Sequence, residues 1–188
     1  MAAADLELRD TLVQRGVLYG GYHPEMAALH RANAERLRAI LHDHGWPAPP
    51  IFGAEVTDAA WLIVQHAIGE PAFQREMLVR LQAEVAAGRL PAARAAMLDD
   101  RIRAFEGRPQ RYGSQVDWDE QGELNPWPPV EEPDMVDDRR HAVGLPPLAE
   151  QLDRLRARAR AEGDRPPPNV IEWRRESEAW ARSVGWRS

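Results

Sequence analysis

Two polar residues interrupt the most apolar stretch of the chain. Gln65 and His66 directly follow the run from Ala59 to Val64, which contains no polar side chain except the indole nitrogen of Trp61. A buried polar group without a hydrogen bond costs about 1–3 kcal/mol, so both residues need partners inside the fold. An imidazole exchanges protons near neutral pH, which makes His66 a candidate general acid/base. A hydrogen-bonded core pair that fixes helix packing is the alternative.

Asp100 and Arg101 lie beside the apolar stripe of a later predicted helix. Neighbouring residues on a helix point about 100° apart, so the two side chains do not simply neutralise each other. A guanidinium at the border of a buried face fits a planar anion, either a carboxylate or a phosphate. The sequence leaves open whether the pair is an anion site or a structural salt bridge.

The segment from Pro109 to Gln115 is dense in hydrogen-bonding groups. Gly113 allows it an unusual turn or a close approach to a ligand. Polar loops on a rigid scaffold are often recognition loops, whereas a hairpin strand with solvated side chains is the alternative. The polar side chains of this segment are Gln110, Arg111, Tyr112, Ser114 and Gln115.

The remaining histidines give weaker signals. His30 lies beside the apolar stripe of the second predicted helix, with Asn33 one turn further on, and both are candidate substrate-binding residues. A zinc site needs three protein ligands and a defined outer shell. His23, His30 and His66 meet this requirement only if the fold brings them together. We therefore expect no metal and no other cofactor.

Composition excludes several kinds of chemistry. The chain has no cysteine and no lysine, because all 24 of its basic residues are arginine. Thiol catalysis, disulfides, Schiff-base chemistry and a lysine-containing phosphate loop are therefore excluded. Nucleophile-elbow, dinucleotide-binding and zinc-protease motifs are also missing from the sequence. The residue types left for catalysis are histidine, carboxylate, tyrosine and serine.

The charge of the chain is unevenly distributed within a net charge of −6. Residues 113–138 hold nine acids and no basic residue, whereas the residues that follow are rich in arginine. We expect the basic end to dock on its own chain or on a partner chain rather than on nucleic acid. No apolar stretch approaches about 18 residues and no signal peptide is evident, so we expect no membrane contact and a cytoplasmic location.

Hydrophobic periodicity predicts a mainly α-helical fold, a compact multi-helix domain with one small β-hairpin near 110–128. The third helix is expected to be buried on all faces, with Thr57 as its N-cap and a proline connector before it at 46–50. The predicted helices cover 5–17, 24–44, 58–69, segments that start at Pro71 and Pro91, 133–141, 146–162 and 171–184.

The C-terminal segment is predicted to be an extension of this domain. We place the helical core domain at 1–162, and a proline-rich linker with a tryptophan-rich terminal helix at 163–188. Trp173, Trp180 and Trp186 should be buried against the body or against a second subunit. The tail is therefore the expected contact for a homo-oligomer or a protein partner.

The order of these motifs resembles a widespread, mostly bacterial family catalogued only as a domain of unknown function. Its members share a Trp-to-Val-Gln-His helix, an Asp-Arg pair and a Gln-x-Tyr-Gly-Thr-Gln loop, and Ser114 stands where threonine is usual. The family name implies no activity, but polar residues from three separate segments favour a shared site over a packing role. The resemblance spans about residues 20–150 and rests on residues 45–47, 60–67, 100–101, 109–115, 139–140 and 143–147.

From these features we expect a small, metal-independent enzyme that acts on a polar, anionic small molecule or on a modified side chain. His66 would be the general acid/base, Asp100 would orient His66 or a substrate donor, Arg101 would hold an anionic group, and Tyr112 would complete the catalytic set. The alternative is a non-catalytic ligand-binding or regulatory module that uses the same polar pocket for a small or peptide-like anion. The expected substrate-binding residues are Gln65, Gln110, Ser114, Gln115, His30 and Asn33.

Overall fold

The computed structural model describes residues 1–17 and 21–188, without the side chains of 49–51. As the sequence predicts, the described residues form a mainly α-helical fold with one two-stranded hairpin. The chain divides into two compact units, Met1–Leu90 and Pro91–Ser188. The predicted domain boundary near residue 163 stays a prediction. No helix among the described residues has the length and apolarity to cross a membrane.

The described residues of the first unit form four helices, of which the first packs against the second and third, and the third against the second and fourth. The second and fourth begin at the predicted prolines, which fit the first helical turn because they lack a backbone N–H. These helices are α1 (Ala2–Gln14), α2 (Pro24–His44), α3 (Pro49–His66) and α4 (Pro71–Ala86). The core they enclose includes Leu12, Leu37, Leu41, Ile63, Val64, Phe73, Met77 and Leu81.

Helix α3 differs from its prediction. It begins at Pro49 rather than Asp58 and bends at Gly53, whose φ of 79° favours a residue without a side chain. Thr57 therefore lies inside the helix instead of capping it, and its hydroxyl is within hydrogen-bond distance of the Gly53 and Pro47 carbonyl oxygens. The helix is not buried on every face either, since Val56 is 47% exposed.

The second unit combines four helices with the hairpin. Strand β1 (Val116–Trp118) pairs antiparallel with β2 (Leu124–Pro126), so that Asp117 faces Asn125. The hairpin lies within the predicted segment 110–128, and in its turn the carboxylate of Asp119 accepts hydrogen bonds from the backbone of Gln121 and Glu123. A 3-10 turn (Pro133–Met135) follows, and the helices are α5 (Ala92–Phe105), α6 (Val136–Ala142), α7 (Leu148–Glu162) and α8 (Val170–Ser183).

The C-terminal segment packs on the end of α5. The Phe105 ring stacks on Trp186 at a centroid distance of 5.2 Å and meets the edge of Trp180 at 5.5 Å. Arg187 donates a hydrogen bond from Nε to the carbonyl oxygen of Phe105 at 2.7 Å. The predicted burial is confirmed for Trp186, which is 3% exposed, whereas Trp173 and Trp180 are half-buried.

Replacement of Trp186 by alanine tests this packing. The substitution leaves a cavity beside Phe105 and should lower the free energy of unfolding by about 3–5 kcal/mol, as measured by urea denaturation. Ile171→Ala on α8 is the control, because Ile171 is 49% exposed and its truncation should cost about 0.5 kcal/mol or less. An unchanged denaturation midpoint for Trp186→Ala would show that the tail does not stabilise the unit.

Candidate functional site

Three helices of the first unit bring a carboxylate and two imidazoles together. Asp5 lies in the first turn of α1, His30 lies on α2, and His66 is the last residue of α3. Asp5 Oδ1 is 2.8 Å from His66 Nδ1, and Asp5 Oδ2 is 3.0 Å from His30 Nε2. The two imidazole centroids are 5.5 Å apart. We call this group the Asp5–His30–His66 cluster.

The members of the cluster differ in exposure. The side chains of Asp5 and His30 are 1% and 8% exposed, whereas that of His66 is 27% exposed. Burial alone raises the pKa of Asp5, but the close contacts and positive charges of the two imidazoles outweigh burial and hold that pKa well below its usual range. Asp5 is therefore an ionised carboxylate at neutral pH, and solvent reaches the cluster on the His66 side.

Tyr22 extends the cluster beyond His30. Its hydroxyl oxygen is 2.7 Å from His30 Nδ1, and the two rings stack at a centroid distance of 5.7 Å. Burial, reinforced by the charge of Glu70, raises the pKa of Tyr22, so the phenol stays protonated. A Cβ at Gly69 would lie 3.1 Å from this ring, so the glycine leaves the space that Tyr22 occupies. Both nitrogens of His30 therefore have a polar atom within 3.0 Å.

Two further predicted residues are buried in the same unit. Gln65 is 4% exposed and Asn33 is 6% exposed. The side-chain amide of Gln74, a fully buried residue of α4, donates to the carbonyl oxygens of Val64 and Gln65 and so ties α4 to the end of α3. This contact fixes the backbone that carries His66. The binding roles expected for Gln65 and Asn33 stay predictions.

In the second unit, the fully buried carboxylate of Asp100 organises the predicted loop. Asp100 Oδ1 accepts hydrogen bonds from the backbone N–H groups of Arg111 at 2.7 Å and Tyr112 at 3.1 Å, and Oδ2 accepts from Ser114 at 2.8 Å. Hydrogen bonds to a charged group are about twice as strong as neutral ones, so this carboxylate fixes the loop conformation. Gly113 adopts a φ of 65°, and a Cβ there would lie 3.0 Å from Val130.

Gln110 holds the same loop from the other side. This residue is fully buried, and its side-chain nitrogen donates to the carbonyl oxygens of Gln115 and Pro128, each at 2.8 Å. Its side-chain oxygen accepts from the backbone N–H of Gln115, also at 2.8 Å. The amide thus bonds to the backbone on both its nitrogen and its oxygen, which indicates a structural contribution to the loop.

Arg140 is a third buried anchor of the loop, and sequence reasoning gave it no role. Its guanidinium donates to the carbonyl oxygens of Tyr112 and Pro146, at 2.5 and 2.6 Å, and to the side-chain oxygen of Gln151. Burial lowers its pKa, although the charges of Asp137 and Asp100 oppose that change. Its only signal in the sequence is the Arg139-Arg140 pair within the family motif.

Four other predicted residues lie in this unit, and these are Arg101, Tyr112, Ser114 and Gln115. Burial lowers the pKa of Arg101 to about 10, so the guanidinium stays charged at neutral pH. Tyr112, Ser114 and Gln115 are half-buried, and Gln115 donates from its side-chain amide to the Ser114 hydroxyl oxygen at 3.1 Å. The catalytic and binding roles expected for these residues stay predictions.

The structure thus groups the predicted site residues by unit. His30, Asn33, Gln65 and His66 lie in the first unit, and the predicted residues from Asp100 to Gln115 lie in the second. The single combined site that the sequence predicts stays a prediction. Sequence reasoning missed Asp5 and Tyr22, and the available signal for Asp5 was a carboxylate beside the apolar stripe of α1.

Replacement of Asp100 by asparagine tests the anchoring of the loop. The amide removes the charge and one acceptor, so at least one buried N–H loses its partner and the free energy of unfolding should fall by about 3 kcal/mol. Hydrogen exchange should accelerate at the amides of Arg111, Tyr112 and Ser114. Asp99→Asn is the control, because Asp99 is half-buried and pairs with Arg103 at 3.2 Å. Equal exchange rates in both variants would refute the anchoring role.

One comparison with known proteins gives a match. A family model described as a family of unknown function (DUF6624) matches residues 1–161, which include the Asp5–His30–His66 cluster and the Asp100 loop. No curated protein and no solved structure matches the chain. Because the matched segment covers most of the chain, the protein belongs to DUF6624, a family of unknown function.

Proposed function

We propose that the protein is an enzyme that transfers a proton to or from a polar substrate at the Asp5–His30–His66 cluster. The observation that carries this proposal is the 2.8 Å contact between Asp5 Oδ1 and Nδ1 of the partly exposed His66. A carboxylate that contacts an imidazole fixes its orientation and stabilises its positive charge, which is how imidazole is prepared for acid–base chemistry. The substrate class is a polar, anionic small molecule or a modified side chain.

The cost of burying Asp5 supports a functional role for the cluster. Removal of a carboxylate from water costs several kcal/mol, and apolar side chains of similar size would pack a three-helix contact without that cost. Such charged clusters with strongly perturbed pKa values concentrate at functional sites. The proposal therefore gives Asp5 the orienting role that the sequence predicted for Asp100, whose carboxylate serves the loop backbone instead.

A non-catalytic module is the second candidate function. Its support is the polar network of the second unit, where the side chains of Asp100 and Gln110 bond to backbone groups. A network of that kind specifies a conformation rather than a reaction. In this case the loop would present its half-buried side chains to a ligand without turnover.

The test is a substrate screen of the wild type against Asp5→Asn and His66→Gln. Phosphate esters, carboxylic esters, amides and phosphorylated or acylated peptides cover the substrate class. We expect turnover in one of these groups, reduced about 100-fold or more in both variants, because positioned acid–base groups contribute on the order of 10²–10⁴ in rate. The measurement is kcat/KM for each variant, after circular dichroism has shown that the variant is folded.

Asp10→Asn and His42→Gln are the matched controls. Both residues are exposed, and they lie on the helices that carry Asp5 and His30. These controls should retain wild-type turnover. Turnover that survives in Asp5→Asn and His66→Gln would contradict the proposal, and a wild type without turnover in any group would favour the non-catalytic module.

A further inference from the structure

We propose that Asp5, His30 and His66 bind one divalent transition-metal ion, with Zn²⁺ as the first candidate, and leave a fourth coordination position open to solvent. This inference is contrary to the sequence-based expectation of no metal. It rests on the proposed function for what the site is used for, but it gives the proton exchange to a metal-bound water and makes His66 a ligand of the ion. Binding of the ion can be measured directly, without any measurement of turnover.

The spacing of the three side chains fits one ion. Each offers one ligand atom, and these atoms all lie within 4.8 Å of one another. Bonds of about 2.0–2.2 Å to nitrogen and oxygen hold the ligand atoms of a tetrahedral zinc site roughly 3–3.5 Å apart. Asp5 Oδ1 lies 2.8 Å from His66 Nδ1 and Asp5 Oδ2 lies 3.0 Å from His30 Nε2, so each imidazole has a carboxylate oxygen within a fraction of an ångström of that spacing.

Two atoms of the cluster are buried without a hydrogen-bond partner, and these are Asp5 Oδ2 and His30 Nε2. They are 3.0 Å apart, yet they are not aligned as a hydrogen bond. Buried polar atoms almost always have partners, so two adjacent exceptions need an explanation. An ion that both atoms contact supplies it, because each atom would then have the ion as its partner.

The contacts around the cluster have the character of an outer coordination shell. A histidine that binds a metal through one nitrogen is usually held through the other, which fixes the orientation of the ring. His30 meets this condition, because Tyr22 holds Nδ1 at 2.7 Å while Nε2 faces Asp5. Tyr22 stacks on the same imidazole and so restricts its rotation.

The donor set and its exposure indicate which kind of ion and which kind of site. Two imidazoles and one carboxylate suit Zn²⁺ and other divalent first-row metals. Metal binding needs neutral imidazoles and displaces any proton on them. A divalent ion with one ionised carboxylate then leaves a net charge of +1, which attracts an anionic substrate. Zinc sites with three protein ligands and a bound water are the catalytic type, and the partly exposed His66 marks the side from which water enters. Zinc lowers the pKa of such a water to about 7, so the water would release its proton to solvent and act as the base.

The test is metal binding to the full-length protein after chelator treatment and dialysis. Titration with Zn²⁺ in a calorimeter should give one ion per chain, and Co²⁺ should give the visible absorption of a four-coordinate site. Asp5→Asn and His66→Gln should weaken Zn²⁺ binding at least 100-fold, whereas Asp10→Asn and His42→Gln should bind as the wild type does. Tyr22→Phe should weaken binding about 10- to 100-fold, because it removes an outer-shell contact.

Two binding results overturn the inference: binding that is not saturable at one ion per chain, and binding that is equally strong in His66→Gln. The test does not depend on Asp5→Asn, which could fold poorly. His66 is partly exposed, so His66→Gln should fold, and the Co²⁺ spectrum is measured on the wild type. Turnover that requires Asp5 and His66 but persists in metal-free protein also overturns the inference and leaves the proposed function standing. Stoichiometric Zn²⁺ binding without turnover on any substrate would support the metal site and contradict the proposed enzymatic function.

Discussion

The ionised carboxylate of Asp5 is the charge around which the first unit is arranged. It comes from the first turn of α1, where the helix dipole favours an acid, and it is met by imidazoles from α2 and α3. Three helices therefore share one electrostatic centre in addition to their apolar core. A shift of any one of these helices would leave a buried charge without its counterpart, which is far costlier than a loosened apolar contact. The apolar core drives the helices to pack, and this charge fixes the positions of the three helices along one another.

The second unit uses charge in a different way. Asp100 and Arg140 are both fully buried, and they bond mainly to backbone atoms of the loop and of the segment before α7. Irregular backbone inside a protein has no helix or sheet partners for its N–H and C=O groups, so side chains must supply them. Backbone dipoles of the loop, and for Arg140 also those of the segment before α7, thereby offset both charges. This arrangement accounts for a conformation at residues 110–115 that includes a positive φ at Gly113.

The helices were largely predictable because their signals are local. Prolines at 24 and 71 and the glycine at 45 mark helix ends through their own backbone chemistry, wherever the chain folds. The predicted start of α3 was wrong because Pro49 is as compatible with a first helical turn as with a connector. In the structure the helix begins at Pro49 and accommodates the segment before Asp58 by a bend at Gly53. The burial of Gln65 beside His66 was foreseeable from the apolar run around them. The partner of His66 was not, because an acid near the start of an amphipathic helix is normally solvated, and 61 residues separate the pair.

The two buried carboxylates differ in how completely their oxygens are bonded. Asp100 has three N–H donors on its two oxygens, all from one loop, and no exposed surface, so no hydrogen-bonding capacity is directed at solvent. Asp5 has one aligned contact to His66, and its second oxygen has no hydrogen-bond partner. One of its two imidazole partners is open to solvent on one side. A carboxylate whose contacts are complete stabilises a conformation, whereas one with a buried oxygen that lacks an aligned donor, beside a solvent-facing imidazole, is the kind that could take the ion proposed above. The missing aligned donor distinguishes Asp5 from Asp100, and it is a property of the arrangement of donors rather than of the residue type.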